Sequence, residues 1–103
     1  MATRLNREQF EVQIQSGKLS LIDFYSDSCI PCKRLSPLLS QIESENPDIF
    51  IGKVNIAYDR DLAGELEVTS TPTLLFYKGG IQVDRVSGSV RKNQLEEIIA
   101  KHR

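Results

Sequence analysis

Two cysteines three positions apart, Cys29 and Cys32, are the residues of this sequence best suited to chemistry. A short apolar run precedes them and a helical pattern follows, so Cys29 falls at a predicted helix N-terminus. The unpaired N–H groups and the positive end of the helix dipole favour a thiolate there. Cys32 then lies on the same helix face, within reach of the first sulfur. Pro31 suits the first turn because it lacks an N–H that would have no partner there.

A C-x-x-C pair has three other interpretations: half of a zinc site, a structural disulfide, or two small apolar core residues. Zinc usually takes four ligands, and the chain has only one histidine, His102, and no further cysteine. The other ligands would have to be carboxylates or come from another chain. A structural disulfide would close a very small loop and add little stability. We expect no metal and no cofactor, although the pair alone is a weak signal.

Asp23 is the second informative residue, because it stands inside the apolar run of residues 19–25. Burying a carboxylate is costly, and such a residue usually has a functional reason. The alternative is a strand that twists Asp23 out to solvent. The apolar residues on both sides favour burial instead, and burial should raise the pKa of the carboxyl group.

Composition limits the classes of function that remain. The 103 residues are 40% hydrophobic and 26% charged, with a net charge of −1, which predicts one domain over residues 1–103 and argues against binding nucleic acid. No apolar run approaches the roughly 20 residues of a membrane-spanning helix. Residues 1–15 show no apolar core of a secretory signal, so a cytoplasmic protein is expected.

Hydrophobic periodicity predicts four helices and four strands. A first helix begins near Asn6 and ends at Gly17, and a second ends at Pro47 and is kinked or split by Pro37. The other elements are strands at 19–25, 49–56, 73–77 and 81–86, a short helix at 62–66, and a last helix around 95–99 capped by Ser89. Alternating helices and strands with a late glycine hairpin imply a mixed sheet covered by helices on both faces.

Residues 23–33, DFYSDSCIPCK, resemble the active-site stretch of the thioredoxin family. Further matches occur in the same order along nearly the whole chain: Pro37, Lys53-Val54-Asn55, Ser70-Thr71-Pro72-Thr73-Leu74, Lys78-Gly79-Gly80 and Gly88. The resemblance implies a thioredoxin-like three-layer α/β/α fold, with a mixed five-stranded central sheet flanked by four helices.

The same resemblance implies a general protein disulfide reductase. Cys29, expected to be the exposed cysteine, would attack a substrate disulfide, and Cys32 would then attack Cys29 to release the product. Cys29 and Cys32 would form the redox-active disulfide. Asp23 would accept the proton of Cys32, with Lys53 nearby modulating it. Thr71 would precede a cis Pro72, although Thr-Pro alone would indicate an ordinary loop.

The expected substrate-binding residues by this resemblance are Ser28, Ile30, Pro31, Thr71, Pro72 and Gly88. Three positions depart from the family pattern: Ser28 replaces a tryptophan, Ile30 a glycine, and Ala57 an aspartate. The first two alter the surface beside Cys29 and the backbone freedom between the sulfurs. They should therefore change which partners bind and the reduction potential of the cysteine pair. Residues 58–61 could supply a substitute acid.

The expected partners are disulfide-containing protein substrates and a thioredoxin reductase, linked to NADPH or to ferredoxin, and the chain is expected to be monomeric. Two alternatives stay open. One is a disulfide oxidant or isomerase on this fold, which the lack of a signal peptide disfavours. The other is a binding module with idle cysteines, which the combination of Cys29, Cys32, Asp23 and Pro72 disfavours.

Overall fold

The chain forms a five-stranded sheet in the order β1-β3-β2-β4-β5, seen in a computed structural model that describes residues 2–103. Its elements in chain order are β1 (Thr3–Arg4), α1 (Arg7–Ile14), β2 (Ser20–Tyr25), α2 (Ile30–Glu45), β3 (Phe50–Asn55), α3 (Arg60–Glu65), β4 (Thr73–Lys78), β5 (Ile81–Ser87) and α4 (Lys92–His102). Strands β1, β3 and β2 are parallel, and β4 and β5 are antiparallel to their neighbours. The predicted mixed sheet with four helices is confirmed.

Two apolar clusters lie on opposite faces of the sheet. Residues of α2 and α4 pack on one face and those of α1 and α3 on the other. In β2, Leu21 belongs to the first cluster, whereas Ile22 and Phe24 belong to the second. Because side chains alternate along a strand, Asp23 shares the face of Leu21 and points toward α2. Asp23 therefore lies on the face of the sheet that is covered by α2, the helix that carries the cysteines.

Several predicted boundaries are confirmed. Asn6 caps α1 by accepting a hydrogen bond from the Gln9 N–H at 2.8 Å, and the Gln9 side chain returns one to the Asn6 N–H. The β4–β5 turn is formed by Gly79 and Gly80, both with positive φ, as a two-residue hairpin requires.

Three boundary predictions were incomplete or wrong. Helix α2 continues through Pro37, so the predicted split is wrong and the predicted kink stays a prediction. Ser89 does not cap α4, because that helix begins only at Lys92 and its N-cap residue is Arg91, which makes no side-chain cap. The residue patterns also missed β1, whose two residues are too few to show a period.

Within residues 2–103, no helix has the length and apolar character needed to cross a membrane.

Candidate active site

Cys29 and Cys32 are joined by a disulfide at the start of α2. Cys29 is the N-cap residue of the helix, and its Sγ accepts a hydrogen bond from the Cys32 N–H at 3.2 Å. Pro31 occupies the first turn, as predicted. In the reduced protein, the same N–H group and the helix dipole would stabilise a thiolate on Cys29, whereas Cys32 lies within the helix. The two sulfurs therefore differ in their electrostatic surroundings.

The expectation that Cys29 is exposed was wrong for this disulfide form. Cys29 is 8% exposed and Cys32 is 5% exposed, so accessibility does not distinguish them. The residues around Cys29 are exposed instead: Ser28, Ile30 and Pro31. Because Cys29 turns inward to cap the helix while its neighbours point outward, the local sequence could not reveal its burial.

Asp23 is buried, as predicted, with 5% exposure. Parallel pairing places it in register with Lys53 of β3. Burial raises the pKa of Asp23 to about 7, against the opposing charge of Lys53. No group in the described protein donates a hydrogen bond to its Oδ1 atom. Lys53 Nζ lies 5.4 Å from the centroid of the Tyr25 ring, a cation–π contact that keeps its charge near the site.

A cavity of about 160 Å³ is lined by both the buried carboxylate and Cys32. Its lining residues are Asp23, Tyr25, Ser26, Asp27, Cys32, Lys33, Ser36 and Lys53. Asp27 and Ser36 were not among the predicted site residues. Their signals were present in the sequence, since Asp27 precedes Cys29 by two residues and Ser36 follows Cys32 by one helical turn.

The acids of residues 58–61 occupy a different place. Asp59 and Asp61 line a separate cavity of about 280 Å³ at the start of α3, together with Ala57. Of the two aspartates that line the cavity of Cys32, Asp23 is buried and Asp27 is exposed. The segment therefore places two acids beside Ala57, where the family has an aspartate, and away from the Cys32 cavity; that either acid replaces the missing aspartate stays a prediction.

The Thr71–Pro72 peptide bond is cis. Pro72 O accepts a hydrogen bond from the Gly88 N–H at 3.0 Å, which joins this loop to the end of β5. Gly88 in turn lines a groove of about 200 Å³ together with Pro31. The loop before β4, the residue after β5 and the cysteine motif are thus brought to one end of the sheet, although they are far apart in sequence.

Arg85 of β5 fixes the segment that leads from α3 to this loop. Its guanidinium donates hydrogen bonds to Leu66 O at 2.8 Å and to Glu67 O at 2.5 Å. Glu67 has a φ of 56°, a left-handed conformation that is unusual for a residue with a side chain. The two bonds hold the turn at the end of α3, and the sequence offered no signal of this long-range contact.

His102 lies at the end of α4, where its Nε2 is 3.2 Å from Asp84 Oδ2 of β5. Within residues 2–103, no three His, Cys, Asp or Glu side chains are grouped as metal ligands.

Comparison with known proteins agrees with this geometry. The thioredoxin family model matches residues 1–101. The chain is 40% identical to a thioredoxin of Chlamydia pneumoniae over 102 residues, 99% of each chain, and 41% identical to that of Chlamydia caviae over the same length and coverage. The solved structure of Fasciola hepatica thioredoxin superposes with a TM-score of 0.90 at 30% identity and covers both chains completely. With its cysteine pair at the start of α2, the chain belongs to the thioredoxin family of thiol–disulfide oxidoreductases.

Proposed function

We propose that this chain is a general protein disulfide reductase in which Cys29 is the nucleophile and Cys32 the resolving thiol. The observation that carries the proposal is the position of Cys29 Sγ at the N-cap of α2, where it accepts the Cys32 N–H. A thiolate is the attacking form in thiol–disulfide exchange, and this position favours a thiolate on Cys29.

The exchange proceeds in two displacements. The Cys29 thiolate bonds to one sulfur of the substrate disulfide, and the other substrate sulfur leaves as a thiolate and takes a proton from solvent. The Cys32 thiol then gives its proton to the Asp23 carboxylate and attacks Cys29 Sγ. The bond from Cys29 to the substrate breaks, and the second substrate sulfur leaves as a thiolate that takes a proton from solvent. The substrate then carries two thiols, and the chain holds the Cys29–Cys32 disulfide.

Asp23 suits this role because its pKa of about 7 allows it to take and return a proton near neutral pH. Lys53, paired with it across β2 and β3, opposes the rise in pKa and keeps part of the population ionised. The half-exposed Lys53 is thus a modulator of Asp23 rather than a reacting group.

The substrate surface comprises the exposed residues beside the disulfide and the loop that faces them. Ile30 is 63% exposed and offers an apolar contact next to Cys29. Ser28, Pro31 and Gly88 continue this surface. The backbone of Thr71, before the cis Pro72, is proposed to bond an extended substrate segment in the manner of an added strand.

The partners proposed for this site are protein disulfides and a thioredoxin reductase that returns the Cys29–Cys32 pair to the dithiol. The chain would act as a monomeric electron carrier in the cytoplasm. Support comes from the family and from the two relatives named as thioredoxins, which match over 99% of their length.

Turnover with a chemical reductant tests the proposal. In the presence of dithiothreitol, the protein should accelerate reduction of an exposed disulfide in a test protein well above the rate of dithiothreitol alone. Cys29→Ser, which keeps the fold but lacks the nucleophile, should match the rate of dithiothreitol alone. A wild-type rate no higher than that of this variant would exclude the reductase and favour a binding module with idle cysteines.

A further inference from the structure

Three hydroxyl-bearing residues line the cavity beside the disulfide, Tyr25, Ser26 and Ser36, and the exchange described above uses none of their hydroxyl groups. Ser36 follows Cys32 by four residues in α2, so the two side chains lie on one face of the helix, one turn apart. Asp23 is buried and Ser36 is exposed. The cavity is thus lined by a buried carboxylate, by an exposed residue that carries a hydroxyl, and by Cys32.

One buried polar atom of this cavity needs a partner that the described protein does not supply. Asp23 Oδ1 receives no hydrogen bond from the described residues. A water molecule takes up about 30 Å³ in the liquid and needs two to four polar partners. The cavity of about 160 Å³ provides the room, and Asp23 Oδ1, the Ser36 hydroxyl and Cys32 provide the partners.

We propose that Ser36 is a positioning residue for the resolving step, because its hydroxyl holds the water that carries the Cys32 proton to Asp23. A hydroxyl can donate one hydrogen bond and accept another. It can therefore orient a water that accepts the Cys32 proton and donates a proton to Asp23. The other polar residues that line the cavity, apart from Asp23, are Tyr25, Ser26, Asp27, Lys33 and Lys53. None of these five lies one helical turn from Cys32 on the same face of α2, and Lys53 already lies over the Tyr25 ring.

The inference rests on the proposed disulfide exchange and completes its proton balance. The Cys32 thiol gives its proton to the held water, which passes one of its own protons to Asp23 Oδ1. The Cys32 thiolate bonds to Cys29 Sγ as the bond between Cys29 and the substrate sulfur breaks, and the electron pair leaves on that substrate sulfur.

A symmetrical aromatic disulfide that releases a coloured nitrothiobenzoate separates the two steps in one stopped-flow trace. The first coloured thiolate reports attack by Cys29, and the second reports resolution by Cys32. We would compare reduced wild type with Ser36→Ala, with Ser36→Thr, which keeps the hydroxyl, and with Ser40→Ala, a matched control one turn further along α2 and outside the cavity lining.

Ser36→Ala should slow the second phase at neutral pH about two- to tenfold, the effect of one neutral hydrogen bond, and leave the first phase unchanged. Its second phase should approach that of wild type by about pH 10, where a thiol ionises without a relay. Ser36→Thr should restore the rate, and Ser40→Ala should match wild type.

An unchanged second phase in Ser36→Ala would overturn the assignment. So would equal slowing of both phases, a deficit that persists at high pH, or failure of Ser36→Thr to restore the rate, since each indicates altered packing rather than a lost proton path. The proposed reductase would fail separately, through a wild-type trace that lacks the second phase altogether.

Discussion

Replacing Cys32 by serine should convert the protein from a turnover catalyst into a trap for its substrates. The Cys29 thiolate would still attack a disulfide, but a hydroxyl in place of the Cys32 thiol cannot form the second disulfide, so the chain stays covalently bound to the substrate. Turnover in the dithiothreitol assay should fall to a small fraction of the wild-type rate. A mixed disulfide of one chain with one substrate molecule should appear on a non-reducing gel and disappear on reduction.

The matched control is Cys29→Ser, which should lose turnover equally and form no such adduct. Both serine variants lack the Cys29–Cys32 disulfide, so a difference between them reports the order of attack and not stability. An adduct formed by Cys29→Ser instead of Cys32→Ser would reverse the two roles.

Asp23→Ala should make the oxidised protein more stable at neutral and alkaline pH. Asp23 has a pKa of about 7 when folded, against an ordinary value of 3.8. Below the lower pKa, the carboxyl group is protonated in both the folded and the unfolded chain. The stability contributed by this residue therefore does not change with pH in that range. Between the two values the unfolded chain releases its proton first, so the folded state loses stability as the pH rises, by about 4 kcal/mol in total.

Removing the carboxyl group removes this penalty and leaves only a small cavity. We expect Asp23→Ala to gain on the order of 2–4 kcal/mol at about pH 8 and much less near pH 4, measured by denaturant unfolding. The exposed Asp27, on the rim of the same cavity, provides the control, because Asp27→Ala should change stability by less than about 0.5 kcal/mol. Loss of stability in Asp23→Ala at alkaline pH would show that the Lys53 pairing outweighs burial.

The same substitution should impair the second displacement more than the first, since Asp23 is the proposed proton acceptor of Cys32. In the two-phase stopped-flow experiment, the second release of thiolate should slow and lose its dependence on an acid of pKa about 7. An unaltered second phase would make Asp23 a structural residue.

The cysteine pair, the buried acid and the order of elements were predictable because each depends on local pattern. An aspartate flanked by apolar residues on both sides can be assigned to the interior, and Cys29 can be assigned to a helix start from the pattern that follows it. The two-residue strand β1 and the start of α4 could not be predicted this way. Their boundaries depend on pairing with β3 and on docking against α2 rather than on their own residues.

The supporting contacts were beyond local pattern for a different reason. Arg85 reaches carbonyl groups that are 18 and 19 residues away in sequence, and the contact requires the α3 end and β5 to be in place. The burial of Cys29 is likewise a result of its capping geometry, since its immediate neighbours are exposed. Ser36 becomes informative only when the cavity that joins it to Asp23 is known.

The central claim, that the N-cap of α2 makes Cys29 the nucleophile, is tested most directly by brief alkylation of the reduced protein with iodoacetamide at neutral pH. Mass spectrometry of the digested protein then gives the rate at each cysteine. Because both cysteines have similarly low exposure in the disulfide form, a difference in rate would reflect thiolate character more than access. The account predicts that Cys29 is modified much faster than Cys32. Equal modification, or faster modification of Cys32, would contradict it.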